Sequence, residues 1–394
     1  MAVLGQKSQS VFAEYVLTTS QTWTAPKSGT IKVTCTGAGG NGAYGQGNIN
    51  AYGSGSKSSA GGGAGGFAQK TVVVTAGDTY TVVIGAGGDN HTNTNQESGE
   101  AGGESTFDNA TATEAIALDS NGGGGGVFNT GDNNGAAGGG GGTASGGDVN
   151  YTGGAGGTTS RANASAKSMV TGGGAVNVLG LATPPRGGNL IARGTNVSPY
   201  QSGGGGVGGN GGDFATNTAN LNTQAVITQG GSSIAAAPVL DENGAFNAET
   251  SIRLLGTVPY APVPTNRDQL DLSGSVADQY LFSAGSGSGE SILSSLEATD
   301  QADRAGCGTW AGYGSTLSAS NGARIQMLNP GAFAGAGGMQ WVSENSGNTS
   351  AGNWRTPNGG LGGGGGGGAT IAATVNNYVF TKGGNGIVII QYIG

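Results

Sequence analysis

Residues 61–88 read GGGAGGFAQKTVVVTAGDTYTVVIGAGG, a glycine block that runs into two β-branched segments and out into glycine again. The segments flank Ala76-Gly77-Asp78, with Tyr80, Val82 and Ile84 in phase, and predict two strands joined as a hairpin. Outward from here the pattern recurs. Thr22–Thr36 (TWTAPKSGTIKVTCT) alternates Ile31, Val33 and Cys35 against Lys32, Thr34 and Thr36, which predicts a half-buried strand. Near the other end, NNYVFTKGGNGIVIIQYIG repeats the design, with a glycine turn expected at Gly383–Gly386. Its continuous apolar run Ile387–Ile390 predicts a strand covered on both faces.

The glycine blocks decide what joins these strands. Glycine makes up 87 of 394 residues, in blocks such as Gly203–Gly212 (GGGGVGGNGG) and Gly359–Gly368 (GGLGGGGGGG). Ordering glycine is entropically costly, and no Gly-X-Y period supports a collagen helix. The ordered solution is a left-handed extended helix of three residues per turn, whose outward N–H and C=O groups pair with neighbouring helices. The fold class expected is therefore all-β: a β-sandwich-like scaffold carrying packed polyglycine II helices, with a mostly irregular insertion. Residues 214–358 hold only 19 of the glycines and contain Pro259, Pro262 and Pro264. This marks them as the insertion, a recognition or assembly region. The glycine-rich domain is expected over 21–213 plus 359–394, and an attachment segment over 1–20. Ile292, Leu293 and Leu296 suggest one short helix within Ser291–Arg304.

Charge excludes several functions. Fifteen basic residues against 23 acidic give a net charge of −8, with charged residues only 10% of the chain. Without a basic run there is no phosphate-binding surface, so no nucleic-acid partner is expected. No run of about 20 apolar residues is present, so no membrane insertion is expected. Residues 1–20 do not read as a secretory signal. Of the two cysteines, Cys35 reads as a small core residue, and Cys307 lies in a glycine turn, AGCGTW.

Chemical motifs are sparse. Gly37-Ala38-Gly39-Gly40-Asn41-Gly42 fits G-x-G-x-x-G, but no helix former follows to hold a pyrophosphate. Gly208–Asp213 starts like a Ca²⁺-binding nonapeptide, yet that site needs stacked copies. Asp89, Glu97, Glu100 and Glu104 show no ligand spacing. His91, the only histidine, sits in a polar stretch without a nucleophile elbow. The chain is read as no enzyme, with no catalytic, metal or cofactor site. Aromatics among Gly, Asn and Ser remain as binding candidates: Tyr44, Tyr52, Tyr151, Tyr200, Trp310, Tyr313, Trp341 and Trp354.

The order of pieces carries a resemblance. TWTAP (22–26) leads to GAGG (37–40), then to 61–88, GGESTFD (102–108), LDSNGGGGG (118–126) and finally GGNGIVIIQY (383–392). This resembles the glycine-rich domain of bacteriophage tail-fibre and tail-tip adhesins. It is also similar to the glycine-rich region of anaplastic-lymphoma-kinase-type receptors, a branch disfavoured by the scarce cysteines and missing membrane span. The phage resemblance implies a virion protein assembled in the host cytoplasm. Its expected partners are a host-surface polysaccharide or outer-membrane protein, other virion tail proteins, and further copies of itself as a trimer. The alternative is a structural or decorating subunit of a virion or extracellular filament with no receptor.

Overall fold

A computed structural model describes residues 13–47, 57–89, 96–109, 114–129, 135–161, 186–192, 359–366 and 382–393, with short isolated segments between 168 and 380. Ten strands build two antiparallel five-stranded sheets: β1 (Glu14–Leu17), β2 (Gln21–Thr24), β3 (Gly29–Thr36), β4 (Phe67–Val74), β5 (Thr79–Val83), β6 (Ser105–Asn109), β7 (Ile116–Ser120), β8 (Ala144–Ser145), β9 (Val149–Tyr151) and β10 (Ile387–Tyr392). The first sheet runs β1-β10-β3-β4-β9 and the second β8-β7-β6-β5-β2. Their inner faces share one core, with Ile31, Val33, Cys35, Val72, Val388 and Ile390 on one side and Trp23, Tyr80, Val82, Phe107 and Leu118 on the other. The alternation of β3 is borne out, since Ile31, Val33 and Cys35 are all fully buried. At the centre Tyr80 stacks on Phe107 with centroids 4.8 Å apart, and Trp23 lies 5.6 Å from Tyr80. Burying large side chains at about 25 cal/mol per Å² makes this core the main apolar contribution of the fold.

Two connections differ from the sequence reading. β4 and β5 are not a hairpin: β4 pairs with β3 and β9, whereas β5 pairs with β2 and β6 in the opposite sheet. The turn between them is an arch from one sheet to the other. Gly77 supplies φ +92°, its N–H donates to Ala25 O, and Asp78 Oδ2 accepts from Thr75 N. The arch turns Val72 and Val74 to face Tyr80 and Val82 across the core, which the shared phase permits as readily as a hairpin. Gly383–Gly386 is likewise no hairpin turn, because its amides bond to glycines elsewhere in the chain. β10 lies between β1 and β3, with Val388 and Ile390 inward and Ile389 half-buried, so its cover is complete on one face only. Glu14–Leu17, expected within an attachment segment, is an edge strand of the first sheet. The helix expected over 291–304 lies outside the described residues, apart from a short strand Arg304–Ala305.

Eight sandwich strands continue into glycine rods or receive one, all on the same end of the sandwich: 37–43 after β3, 60–66 before β4, 85–88 after β5, 99–103 before β6, 121–127 after β7, 136–142 before β8, 153–158 after β9 and 383–386 before β10. Partners along a rod repeat every three residues. Ala60, Gly63 and Gly66 donate to Val127, Gly124 and Asn121; Gly61 and Ala64 to Gly157 and Gly154; Gly62 and Gly65 to Gly365 and Gly362, all at 2.8–3.1 Å. That period is the signature of a threefold helix, and the rod glycines other than Gly362 have no positive φ, which gives the left hand. Rod 37–43 bonds to six neighbours. It donates to 60–66, 99–103 and 383–386, and it accepts from 121–127, 85–88 and 359–365. At Leu361-Gly362 the chain reverses in a type II turn, with Gly363 N donating to Gly360 O and φ +70° at Gly362.

A buried polar layer joins sandwich to rods. Ser120 Oγ donates to Cys35 O at 2.9 Å, Ser105 Oγ accepts from Gly85 N at 3.0 Å, and the Cys35 thiol donates to Ser105 O at 3.1 Å. These small groups cap backbone atoms where ladder geometry gives way to threefold geometry. A net hydrogen bond is worth roughly 1 kcal/mol, comparable to the cost of fixing one residue's backbone. The rods therefore depend on strands that pin their ends.

Candidate functional site

The molecule has a direction. Ala13 and Ile393 lie together at the sandwich end remote from the rods, where Tyr392 N donates to Ala13 O. From there the chain passes through the sandwich and then through rods of about seven residues, roughly 20 Å at about 3.1 Å per residue. Beyond the rods it resumes strand pairing. Tyr44–Gly47 pairs with Gly368–Ala372 and Gln96–Glu97, Lys57–Ser59 with Phe128–Asn129, and Thr159–Arg161 with Leu190–Ala192. The described residues on either side of 48–56, 90–95 and 130–134 lie at this far end.

The aromatic candidates do not gather there. Tyr44 is fully buried between its two strand neighbours, and it is withdrawn as a contact residue: it fills the space where rod becomes strand. Tyr151 sits at the opposite, sandwich end of the rods, half-buried and stacked on Phe67 with centroids 6.3 Å apart. Tyr200, Trp341 and Trp354 fall on strands Ser198–Gln201, Met339–Ser343 and Trp354–Arg355, their side chains outside the described residues. Tyr52, Trp310 and Tyr313 lie outside the described residues, as do His91 and Cys307.

What the far end does present is an apolar step and an ion pair. Val127 is 41% exposed at the tip of its rod, and Phe128 follows it, packed so that a Cβ on Gly45 would lie 2.3 Å from its ring. The sequence signal for this step is the pair Val127-Phe128 directly after five glycines, apart from the tyrosine and tryptophan candidates. Lys382 Nζ pairs with Asp89 Oδ2 beside the 90–95 connection. With Lys382 half-buried and Asp89 exposed, the pair fixes position more than it stabilises. Glu100 N donates to Asn41 Oδ1, tying the strand side of that connection to the central rod.

The motif Gly37–Gly42 lies in the central rod, where the amides of Gly37, Ala38, Gly39, Gly40 and Asn41 donate to carbonyls of other rods. Among the described residues no three of His, Cys, Asp and Glu converge as metal ligands, and no helix is long and apolar enough to cross a membrane. Cys35 is a free thiol in the core, its pKa pushed up to about 12 mainly by burial, so it is protonated and inert at neutral pH.

The fold and its rods define an all-β protein in which backbone amides, rather than side chains, cement the second layer. The family model described as "Glycine-rich domain" matches residues 16–247, more than half of the chain, and the chain belongs to that family. No curated protein matches it.

Proposed function

We propose that this chain is a non-enzymatic virion protein, a tail fibre or tail tip, that holds out recognition loops toward a host-surface polysaccharide or outer-membrane protein. The observation that supports this reading is the molecule's direction. Both described ends of the chain lie on the sandwich, while the residues flanking 48–56, 90–95 and 130–134 lie beyond a stiff, weakly charged slab of rods. Such a slab suits a spike: it resists bending through the hydrogen bonds between its rods and offers little greasy surface of its own. Loops held on a rigid scaffold are where binding residues concentrate.

The test is binding of the labelled full chain to a panel of bacteria and to their extracted polysaccharides and outer-membrane proteins. The proposal expects saturable binding to some strains, lost when residues 48–56 are replaced by a Gly-Ser segment. Failure to bind any strain saturably contradicts it. One observation favours the second reading, a decorating or filament subunit: among the described residues β1 is a sheet edge paired only with β10, and its Val16 is 52% exposed. An open edge of this kind accepts a strand from a neighbouring subunit.

A further inference from the structure

Among the described residues, the rod lattice is unfinished on one face. Rod 121–127 is bonded to 136–142, 60–66, 37–43 and 99–103, which follow one another around it. A threefold rod in a filled lattice has six neighbours, as rod 37–43 does, so two adjacent positions beside 121–127 stand open. The atoms that point there are Gly122 and Gly125, whose N–H and C=O groups make no hydrogen bond. On the adjoining rod, the N–H and C=O groups of Gly138 and Gly141 and the N–H groups of Ala137 and Gly140 are equally unbonded. Ala137 and Gly140 are exposed and the other four residues half-buried, so water reaches the whole face.

We infer that this face is an interface between two copies of the chain, in which rods of each copy occupy the open lattice positions of the other. Three observations select a second copy. Gly122, Gly125, Gly138 and Gly141 each offer a donor and an acceptor, so the face is complementary to itself, as a twofold contact requires. The residues of rods 121–127, 136–142 and 153–158 include no charged side chain, so two copies meet without desolvating ions or opposing like charges despite the net charge of −8. Gly140 is glycine although a Cβ there would meet nothing within 4 Å. Packing among the described residues does not require a bare backbone at that position, whereas close approach of another rod does. The contact continues the bonding that already joins the rods, and a face of a few rods is small beside the roughly 800 Å² per partner of standard interfaces. It is therefore a weak, concentration-driven contact. This inference is independent of host recognition, and either can fail alone.

Sedimentation equilibrium of the full chain from about 1 μM to about 1 mM tests it, with amide exchange recorded at both extremes. Self-association is expected, with exchange at Gly122, Gly125, Gly138 and Gly141 slowed at the high concentration. Gly140→Arg places a long cation over the open positions without meeting the fold, and should weaken association about tenfold or more. Thr81→Arg, exposed on the outside of the second sheet, should leave it unchanged. A monomer throughout the range overturns the inference. So does an association that Gly140→Arg leaves intact or that both variants weaken equally.

Discussion

A methyl group added at Gly39 would lie 1.9 Å from the carbonyl oxygen of Gly363, and one at Gly63 would lie 2.1 Å from that of Gly140. Both contacts are with backbone, which no rotamer change relieves. Gly39→Ala and Gly63→Ala should each cost about 3 kcal/mol or more in urea unfolding. Gly140→Ala, with open space at its Cβ, should gain about 0.5 kcal/mol by restricting the unfolded chain. Position within the lattice, rather than glycine as such, sets these outcomes. Cys35 offers a second test at this scale. Its folded pKa is raised from 9.0 to about 12, so the native state holds the proton that the unfolded state releases between those values. The associated stability is complete below pH 9 and declines by about 1.4 kcal/mol per pH unit as pH rises toward 12. Measured stability against pH should flatten in this window in Cys35→Ala, relative to the parent chain.

Among elements, the rod is the one whose phase matters most. Three residues make one turn, so inserting a single glycine after Gly63 rotates the rest of the rod by about 120° and aims each amide at the wrong neighbour. Thermal unfolding of that variant should fall well below the parent. The same insertion within 130–134 should leave it unchanged. The rods were legible in the sequence because glycine blocks that must be ordered have few ways to satisfy their amides. The strands were legible too, through alternation at Ile31, Val33 and Cys35. Topology was less so. A glycine turn between two in-phase strands fits a hairpin within one sheet and an arch between two sheets, and only the partners β3 and β2 decide between them. The candidate site was least legible: Tyr44 sits among Gly and Gln in sequence, yet lies buried because a rod ends and a strand begins at that residue. Local polarity says nothing of neighbours distant in the chain, such as Gly368–Ala372.

For the whole molecule, two cements work in series: an apolar core between sheets and a hydrogen-bonded lattice beyond them. Exposing apolar surface raises the heat capacity of unfolding, and exposing amides lowers it. Calorimetry of the full chain should therefore give a heat-capacity change per residue below the usual ~12 cal/mol/K. A value at or above that figure would mean that burial of side chains dominates throughout. The same division explains how a chain with 10% charged residues can extend a stiff slab past the core that its described sheets enclose. Residue-resolved amide exchange in dilute protein reaches the lattice most directly. Every amide of rod 60–66 should be protected, and along 121–127 protection should lapse at Gly122 and Gly125 alone, a gap every third residue. Uniformly fast exchange through both segments would contradict the lattice and the account built on it.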